Sequence, residues 1–275
     1  MKLSTKRIKF FQKSIFTWWT THKRDLPWRH TRDPYRIMVS EVMLQQTQVL
    51  RVIAKYREFI ERYPRVSNLA QATTAEVLRI WKGMGYNRRA LYLQNAAKAI
   101  VEIYQGKFPV REKELVKLQG LGTYTARAIL VFAYAQEVPL VDTNIRKIIT
   151  HFFFKDQPQK ESVIGEVARQ LVPSGKSWEW HQALMDYAAL ELRNKQINKY
   201  TNKQIKKIPF RESNRFYRGR IIDRLREGDI RESKLASEFK KKYGKPNDFL
   251  KAILQGLEAD GLISRSKTGI ISLPK

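Results

Sequence analysis

The stretch Leu118-Gln119-Gly120-Leu121-Gly122-Thr123-Tyr124-Thr125-Ala126 decides the fold prediction. It follows a short helical pattern and precedes an apolar helical one, so its glycines lie at a tight turn between two helices. Gly120 and Gly122 allow backbone N–H groups to approach an anion, and the N-terminus of the next helix adds the positive end of its dipole. The stretch predicts a helix-hairpin-helix that clamps phosphate without reading sequence. A plain tight turn between helices is the alternative.

Helical patterns continue on both sides of this hairpin, and strand patterns are nearly absent from residues 1–200. Ser4 is placed to cap a first helix whose apolar positions include Phe11, Ile15 and Trp18. Thr73 and Glu76 form a capping-box pattern before another apolar run. The sequence therefore predicts an all-α body.

The pattern changes after Pro209. Three helices are predicted over 215–226, 232–243 and 247–257, and two short apolar runs then flank a glycine turn at 267–269, which is typical of a β-hairpin. Three helices followed by a hairpin predict a small winged-helix-like (α+β) module, a fold common in nucleic-acid binding. A small α+β dimerisation module is the alternative interpretation.

The charge balance points to an anionic partner. The 275 residues hold 53 Lys+Arg against 26 Asp+Glu, a formal net charge of +27. Nucleic acid is the simplest partner for such an excess, and an anionic membrane surface is the second. The chain has no apolar run long enough to span a bilayer, and its basic N-terminus is not typical of a secretory signal. We expect a cytoplasmic protein, associated with the nucleoid if the source is prokaryotic.

The absence of cysteine excludes whole classes of chemistry. With no cysteine, the chain has no disulfide framework, catalytic thiol, cysteine-ligated zinc or ordinary iron–sulfur cluster. The four histidines lack the spacing of a helical metal site, and we expect no metal and no cofactor. They are His22, His30, His151 and His181.

Two carboxylates are candidates for catalysis. Glu41 lies among Val42, Met43 and other apolar residues, where the ionised form is destabilised and a raised pKa suits a general acid. A solvated glutamate on an amphipathic helix is the plainer interpretation. Asp142 precedes a helical pattern, so it is either a simple N-cap or the second carboxylate of a pair.

The order of the short motifs resembles one family, the adenine DNA glycosylase (MutY) family of the endonuclease III-like helix-hairpin-helix superfamily. The resemblance extends from about Leu26 to Leu192. Its motifs, in order, are Leu26-Pro27-Trp28-Arg29, Asp33-Pro34-Tyr35-Arg36, Ser40-Glu41-Val42-Met43-Leu44-Gln45-Gln46-Thr47-Gln48-Val49, Gly83-Met84-Gly85-Tyr86, the glycine hairpin and Val141-Asp142-Thr143-Asn144.

The resemblance implies a two-domain helix-hairpin-helix DNA glycosylase fold with DNA in the cleft between the domains. Residues 1–25 and 136–208 would form a discontinuous helical domain, residues 26–135 a six-helix barrel with the hairpin, and residues 209–275 the winged-helix-like module. The implied activity belongs to base excision repair. A flipped adenine, mispaired with guanine or 8-oxoguanine, is released from double-stranded DNA by hydrolysis of its N-glycosidic bond. One chain suffices for this, so we expect a monomer that does not bind membranes.

The resemblance also assigns catalytic roles. Glu41 would protonate the departing adenine and handle the attacking water. Asp142 would stabilise the oxocarbenium-like sugar, and Asn144 would orient Asp142 or water. Tyr124 stands where lyases of the superfamily carry lysine, and a tyrosine cannot form a Schiff base, so the enzyme should be monofunctional.

Further positions match residues that hold the base or the DNA. Those matching the adenine pocket are Arg24, Leu26, Trp28, Arg29 and Asp186. Those matching DNA contacts are Gln45, Gln46, Thr47, Tyr86, Arg88, Gly120, Gly122 and Thr123, with Tyr86 as an aromatic wedge in the base stack.

Two departures from the family bear on function. The four cluster cysteines of the family fall at Leu192 and near Lys199, Asn202 and Ile208. The cationic segment 193–207 would replace the cluster loop by charge. The family's larger C-terminal domain, which reads 8-oxoguanine, is replaced by the small module, so the opposite-base preference stays open. The alternatives are a glycosylase for another base, such as thymine opposite guanine, and a non-catalytic basic DNA-binding protein.

Overall fold

The computed structural model describes residues 2–192 and 209–275. Segment 193–207, and with it the positions Lys199 and Asn202, lies outside the described residues, as does Ile208. The α-helices are α1 (Thr5–His22), α2 (Pro34–Leu44), α3 (Val49–Arg62), α4 (Val66–Gln71), α5 (Thr74–Ile80), α6 (Arg88–Tyr104), α7 (Glu112–Leu115), α8 (Thr123–Tyr134), α9 (Thr143–Phe154), α10 (Glu161–Leu171), α11 (Ser177–Leu190), α12 (Asn214–Arg226), α13 (Glu232–Tyr243) and α14 (Asn247–Ala259). The strands are β1 (Ile230–Arg231), β2 (Ser264–Arg265) and β3 (Ile270–Ser272).

These elements confirm the predicted fold class, an all-α body with a small C-terminal α+β module. The described residues divide into two compact units. The first comprises residues 2–41, 109–117 and 121–192, and the second residues 42–108, 118–120 and 209–275. The domain boundaries inferred from the resemblance stay a prediction.

The first unit is built around an aromatic core. Ser4 caps α1 by accepting the backbone N–H of Arg7, as its position predicts. Phe11 meets the rings of Phe153 and Trp180 edge-on at 5.1 and 5.8 Å between centroids, a favoured aromatic geometry. The buried tryptophan of α1 is Trp19, whereas the helical pattern pointed to its neighbour Trp18, which is half-buried. The core therefore ties α1 to α9 and α11.

The second unit packs α6 against α4 and α5. The predicted capping box starts α5, since Thr73 accepts the Glu76 N–H and the Glu76 carboxylate accepts the Thr73 N–H. Buried Trp81 and Phe59 fill the centre, with ring centroids 6.1 Å apart. This frame supports the loop that carries Tyr86, immediately before α6.

The C-terminal residues of the second unit have winged-helix topology. The order is α12, β1, α13, α14, β2 and β3, and the antiparallel sheet has the order β1-β3-β2. Ile230 of β1 pairs with Ile271 of β3, and both side chains are buried. β1 was missing from the sequence prediction because a two-residue strand carries no alternating pattern of its own.

Within the described ranges, no helix is both long and apolar enough to cross a membrane.

Candidate active site

Glu41 and Tyr124 meet through a hydrogen bond in the first unit. Glu41 lies on α2 and is 8% exposed, and Tyr124 lies in the first turn of α8. The Tyr124 hydroxyl donates to the Glu41 carboxyl. Burial, with the nearby charge of Asp142, raises the pKa of Glu41 to about 7, although the bond from Tyr124 acts in the opposite direction. A carboxyl with this pKa still holds its proton in about half of the molecules at pH 7.

Asp142 is held as the N-cap of α9. One carboxylate oxygen accepts the backbone N–H groups of Asn144 and Ile145 at 2.9 and 2.7 Å, and the other accepts the Asn144 side-chain amide at 2.8 Å. Burial raises the pKa of Asp142, while these N–H donors lower it. The side chain is thereby locked in one orientation, with its charge close enough to Glu41 to raise the pKa of Glu41.

Tyr124 stays a neutral phenol. Burial and the charges of Glu41 and Asp142 raise its pKa well above the ordinary value. The structure thus brings together the four residues to which the resemblance assigns catalytic roles. Tyr124 bonds to Glu41, Asn144 bonds to Asp142, and the charge of Asp142 acts on both Glu41 and Tyr124.

His181 was not singled out for the site by the sequence. It is 1% exposed. Its Nε2 accepts the Leu140 N–H at 3.1 Å, so its Nδ1 carries the hydrogen and donates to the Ser177 carbonyl at 2.7 Å. Burial lowers the pKa of His181 to about 4, against the bond to Ser177, which raises it. This neutral histidine anchors the backbone two residues before Asp142. The partner residue is distant in sequence, so no local pattern indicates it.

Asp186 forms a second buried cluster in the same unit. Arg29 donates two hydrogen bonds to its carboxylate at 2.7 and 2.8 Å, and the Trp19 indole donates one at 2.9 Å. Arg24 donates one from its side chain at 2.5 Å and one from its backbone N–H at 3.2 Å. Asp186 is 0% exposed. Burial alone would raise its pKa, but these donors outweigh burial and lower it. The cluster thus joins Arg24, Arg29 and Asp186, three of the five predicted pocket residues. The other two, Leu26 and Trp28, lie between the two arginines in the chain and are buried.

The predicted DNA contacts fall in both units. Gln45, Gln46, Thr47, Tyr86, Arg88 and Gly120 belong to the second unit, and Gly122 and Thr123 to the first. Gly120 has φ +82°, and a Cβ there would lie 2.6 Å from the Tyr92 Cβ, so only glycine fits this turn. Gly122 is the N-cap of α8. Arg88 hydrogen-bonds Tyr92 and lies 3.6 Å from Asp260.

Arg89, a second residue missed by the sequence interpretation, fixes two loops of the second unit. Its guanidinium donates to the carbonyls of Val42, Met43 and Gln45 at 3.0, 2.9 and 2.5 Å. It also donates to Thr47 Oγ1 and to the Met84 carbonyl, both at 3.0 Å. Burial lowers the pKa of Arg89 to about 10. A buried arginine that satisfies several carbonyls holds both loops in one arrangement.

Gln46 and Tyr86 lie on the loops that Arg89 holds, and both have left-handed backbones. Their φ values are +54° and +46°, a conformation that is costly for residues other than glycine and often found at functional sites. Tyr86 is 37% exposed. These loops therefore present two side chains in strained but fixed positions.

The described part of the chain contains no group of three or more His, Asp or Glu residues that could hold a metal.

The hairpin between helices and the buried Glu41 beside Asp142, the N-cap of α9, agree with the family that the sequence motifs resemble. The family model described as HhH-GPD superfamily base excision DNA repair protein matches residues 39–173. A thymine/uracil-DNA glycosylase from Methanothermobacter thermautotrophicus is 32% identical over 191 residues, which cover 68% of this chain and 86% of that protein. The chain belongs to the HhH-GPD superfamily of base excision DNA repair proteins, an enzyme family of DNA glycosylases.

Adenine DNA glycosylases are also similar, over a smaller share of their length. The Mycobacterium tuberculosis protein is 44% identical over 137 residues, covering 50% of this chain and 45% of that protein. The human protein is 34% identical over 195 residues, covering 66% of this chain and 36% of that protein. These relatives confirm the resemblance to the adenine glycosylase family. The chain spans less than half the length of each of these two.

Solved structures agree on the fold. A thermostable thymine-DNA glycosylase has a TM-score of 0.64 at 32% identity, over 67% of this chain and 87% of that one. A trapped endonuclease III–DNA covalent intermediate has a TM-score of 0.58 at 17% identity, over 68% of this chain and 86% of that one. The second likeness shows a shared fold.

Proposed function

We propose that this protein is a monofunctional DNA glycosylase of base excision repair that hydrolyses the N-glycosidic bond of adenine mispaired with guanine or 8-oxoguanine. The observation that carries the proposal is Glu41, a buried carboxyl whose pKa is raised to about 7 beside the charge of Asp142. A general acid is most effective when its pKa lies near the working pH. An ordinary surface glutamate is ionised there and has no proton to give.

The two carboxylates divide the reaction between them. Glu41 donates its proton to a ring nitrogen of the flipped adenine, so the base leaves as a neutral molecule with the electron pair of the broken C–N bond. The negative charge of Asp142 stabilises the oxocarbenium-like sugar left behind. Water then attacks the sugar carbon while the Glu41 carboxylate accepts its proton, which restores the starting state.

Tyr124 supports a hydrolytic rather than a lyase reaction. Its phenol has no amine to condense with the abasic sugar, so no Schiff base forms and the strand stays intact. Its hydroxyl instead serves Glu41 as a hydrogen-bond donor.

Duplex DNA is the proposed partner. The net charge is +27, and neutralising phosphates releases counterions, so binding should weaken steeply as salt rises. The family membership and the hairpin around Gly120 support this partner. A response to salt that is flat would contradict it.

Excision of thymine opposite guanine is the second candidate. It is favoured by the thymine/uracil-DNA glycosylase relative, because this chain aligns with 86% of that protein at 32% identity. The chemistry separates the two candidates. Thymine can leave as an anion spread over two carbonyls, whereas adenine needs a proton from Glu41.

The deciding experiment uses duplexes with one A:G, A:8-oxoguanine or T:G pair, followed by alkali to cut abasic sites. The proposal expects cuts at adenine. Cuts at T:G alone would establish the second candidate, and no cuts on any duplex would overturn both. Strand cleavage without alkali, or a borohydride-trapped adduct, would contradict monofunctional action. Glu58→Gln on α3, a carboxylate 55% exposed and paired with Lys55, is the control for Glu41→Gln.

A further inference from the structure

A cavity of about 730 Å³ lies in the second unit, between the loop that carries Tyr86 and helix α12 of the winged-helix module. Its volume is within the range of sites for small organic ligands. Helix α12 lies outside the residues matched by the family model, 39–173. Among the described residues that line the cavity are seven arginines and one carboxylate, Asp223. The lining is therefore strongly cationic.

Arg215 of α12 lies against two aromatic rings of this cavity. Its guanidinium carbon is 4.8 Å from the Tyr86 ring centroid and 5.0 Å from that of Phe210. It also donates a hydrogen bond to the Tyr86 hydroxyl. Stacking on aromatic rings orients the flat guanidinium and leaves N–H groups at its edge for in-plane hydrogen bonds.

The other arginines of α12 are already paired. Arg218 pairs with Asp260, Arg220 and Arg226 with Asp223, and Arg224 with Glu238. Arg226 also donates to the Leu78 carbonyl of α5 at 2.9 Å and to the side chain of Asn87 at 3.1 Å. These bonds connect α12 to α5 and to the residue that follows Tyr86. Within the described part of the chain, Arg215 alone of these has no carboxylate partner. Its charge is available to a ligand in the cavity.

The module's usual DNA-reading helix is poorly suited to DNA. In a winged helix the helix before the wing, here α14, enters the major groove. Its exposed positions include Asp248, Lys251 and Glu258, so carboxylates outnumber basic groups on this face, and carboxylates repel phosphate. On α12, by contrast, Arg215 is exposed and has no carboxylate partner among the described residues, and it lines the cationic cavity. The charge distribution favours DNA contact through α12 and the cavity rather than through α14.

We infer that this cavity binds the unpaired guanine opposite the excised base, with Arg215 as its specificity-determining residue. This rests on the proposed function, which creates an unpaired partner base when the target flips out. Guanine presents two adjacent acceptors, O6 and N7, and arginine is their commonest bidentate donor. Gln46, Phe210 and Tyr86 also line the cavity, and aromatic side chains are common neighbours of unpaired bases.

The test compares Arg215→Gln with Lys251→Gln, since each removes one positive charge from the same module. Both side chains are exposed, so both variants should fold, which thermal melting checks. Each chain, with all 275 residues present, is titrated at fixed salt with duplexes that carry a tetrahydrofuran abasic analogue at the target position. The opposite position holds guanine in one duplex and a second tetrahydrofuran in the other. Fluorescence anisotropy gives the two affinities and their ratio.

Wild type should bind the guanine duplex at least about fivefold more tightly than the base-free duplex, the lower end of what a bidentate base contact contributes. Arg215→Gln should lose most of this preference for the guanine duplex, and Lys251→Gln should keep it. A ratio near one in wild type, an equal loss on both duplexes in Arg215→Gln, or a lost ratio in Lys251→Gln would overturn the inference. Because the target base is absent, the readout does not depend on which base the enzyme excises, and failed excision leaves it interpretable.

Discussion

Tyr124 donates its hydroxyl hydrogen to the carboxyl of Glu41, and this bond opposes the effect of burial on Glu41. Burial favours the neutral acid, whereas a donor facing the carboxyl favours the ionised form. The balance leaves the pKa of Glu41 at about 7. The pKa of Glu41 is therefore set by burial and the charge of Asp142, which raise it, and by the Tyr124 bond, which lowers it.

Glu41→Gln should abolish the proton donor while keeping the size of the side chain. We expect single-turnover excision of adenine to fall by about 10²–10⁴-fold, the usual contribution of a general acid–base group. In wild type, excision should decline as pH rises above about 7, because Glu41 then loses its proton. Full activity in Glu41→Gln, with Glu58→Gln unchanged, would remove Glu41 from the proposed role.

Tyr124→Phe should change the pH dependence of excision rather than abolish the reaction. It removes the hydrogen bond that lowers the pKa of Glu41, so the pKa should rise and the decline in excision should move to higher pH. A pH–rate profile under single-turnover conditions measures this. A profile identical to wild type would show that the bond has no influence on the reacting state.

Asp142 has two roles that substitution can separate. Asparagine is also a good N-cap, so Asp142→Asn should keep α9 capped while removing the charge. We expect a large loss of excision with little change in unfolding free energy. Asp142→Ala should lose the same activity and, in addition, about 1 kcal/mol of stability. Equal stability losses in urea titrations of the two variants would contradict the assigned capping role.

His181 should make stability depend on pH in a definite direction. Its pKa is about 4 in the folded chain and near the ordinary 6.5 when unfolded. Between these values the unfolded chain binds more protons, so the contribution of His181 is complete above about pH 6.5 and is lost as pH falls toward 4. The loss amounts to about 3 kcal/mol.

Urea unfolding of wild type and His181→Gln at several pH values measures this difference. The stability gap between the two should shrink on acidification through this window. A gap that stays constant would mean that His181 is not the titrating group. Excision by His181→Gln should also fall, since Leu140 and the chain leading to Asp142 lose their anchor.

Much of the fold and part of the site were determined by the sequence alone. Ser4, Asp142 and the Thr73–Glu76 box cap helices within three residues of themselves. The glycine hairpin is equally local. The apolar surroundings of Glu41 correctly predicted a raised pKa. Such features depend on neighbours along the chain, which is why a pattern of residue types reveals them.

Other features were decided by tertiary structure. Arg89 donates hydrogen bonds to carbonyls that lie 44 to 47 residues earlier in the sequence. His181 and Leu140, which are hydrogen-bonded, are 41 residues apart, and Arg215 and Tyr86 are 129 residues apart. The influence of Asp142 and Tyr124 on Glu41 likewise needs chain folding. Charge, burial and hydrogen bonding act over a few ångströms of space regardless of separation in sequence. The sequence therefore specifies which groups are present, and packing decides which of them interact.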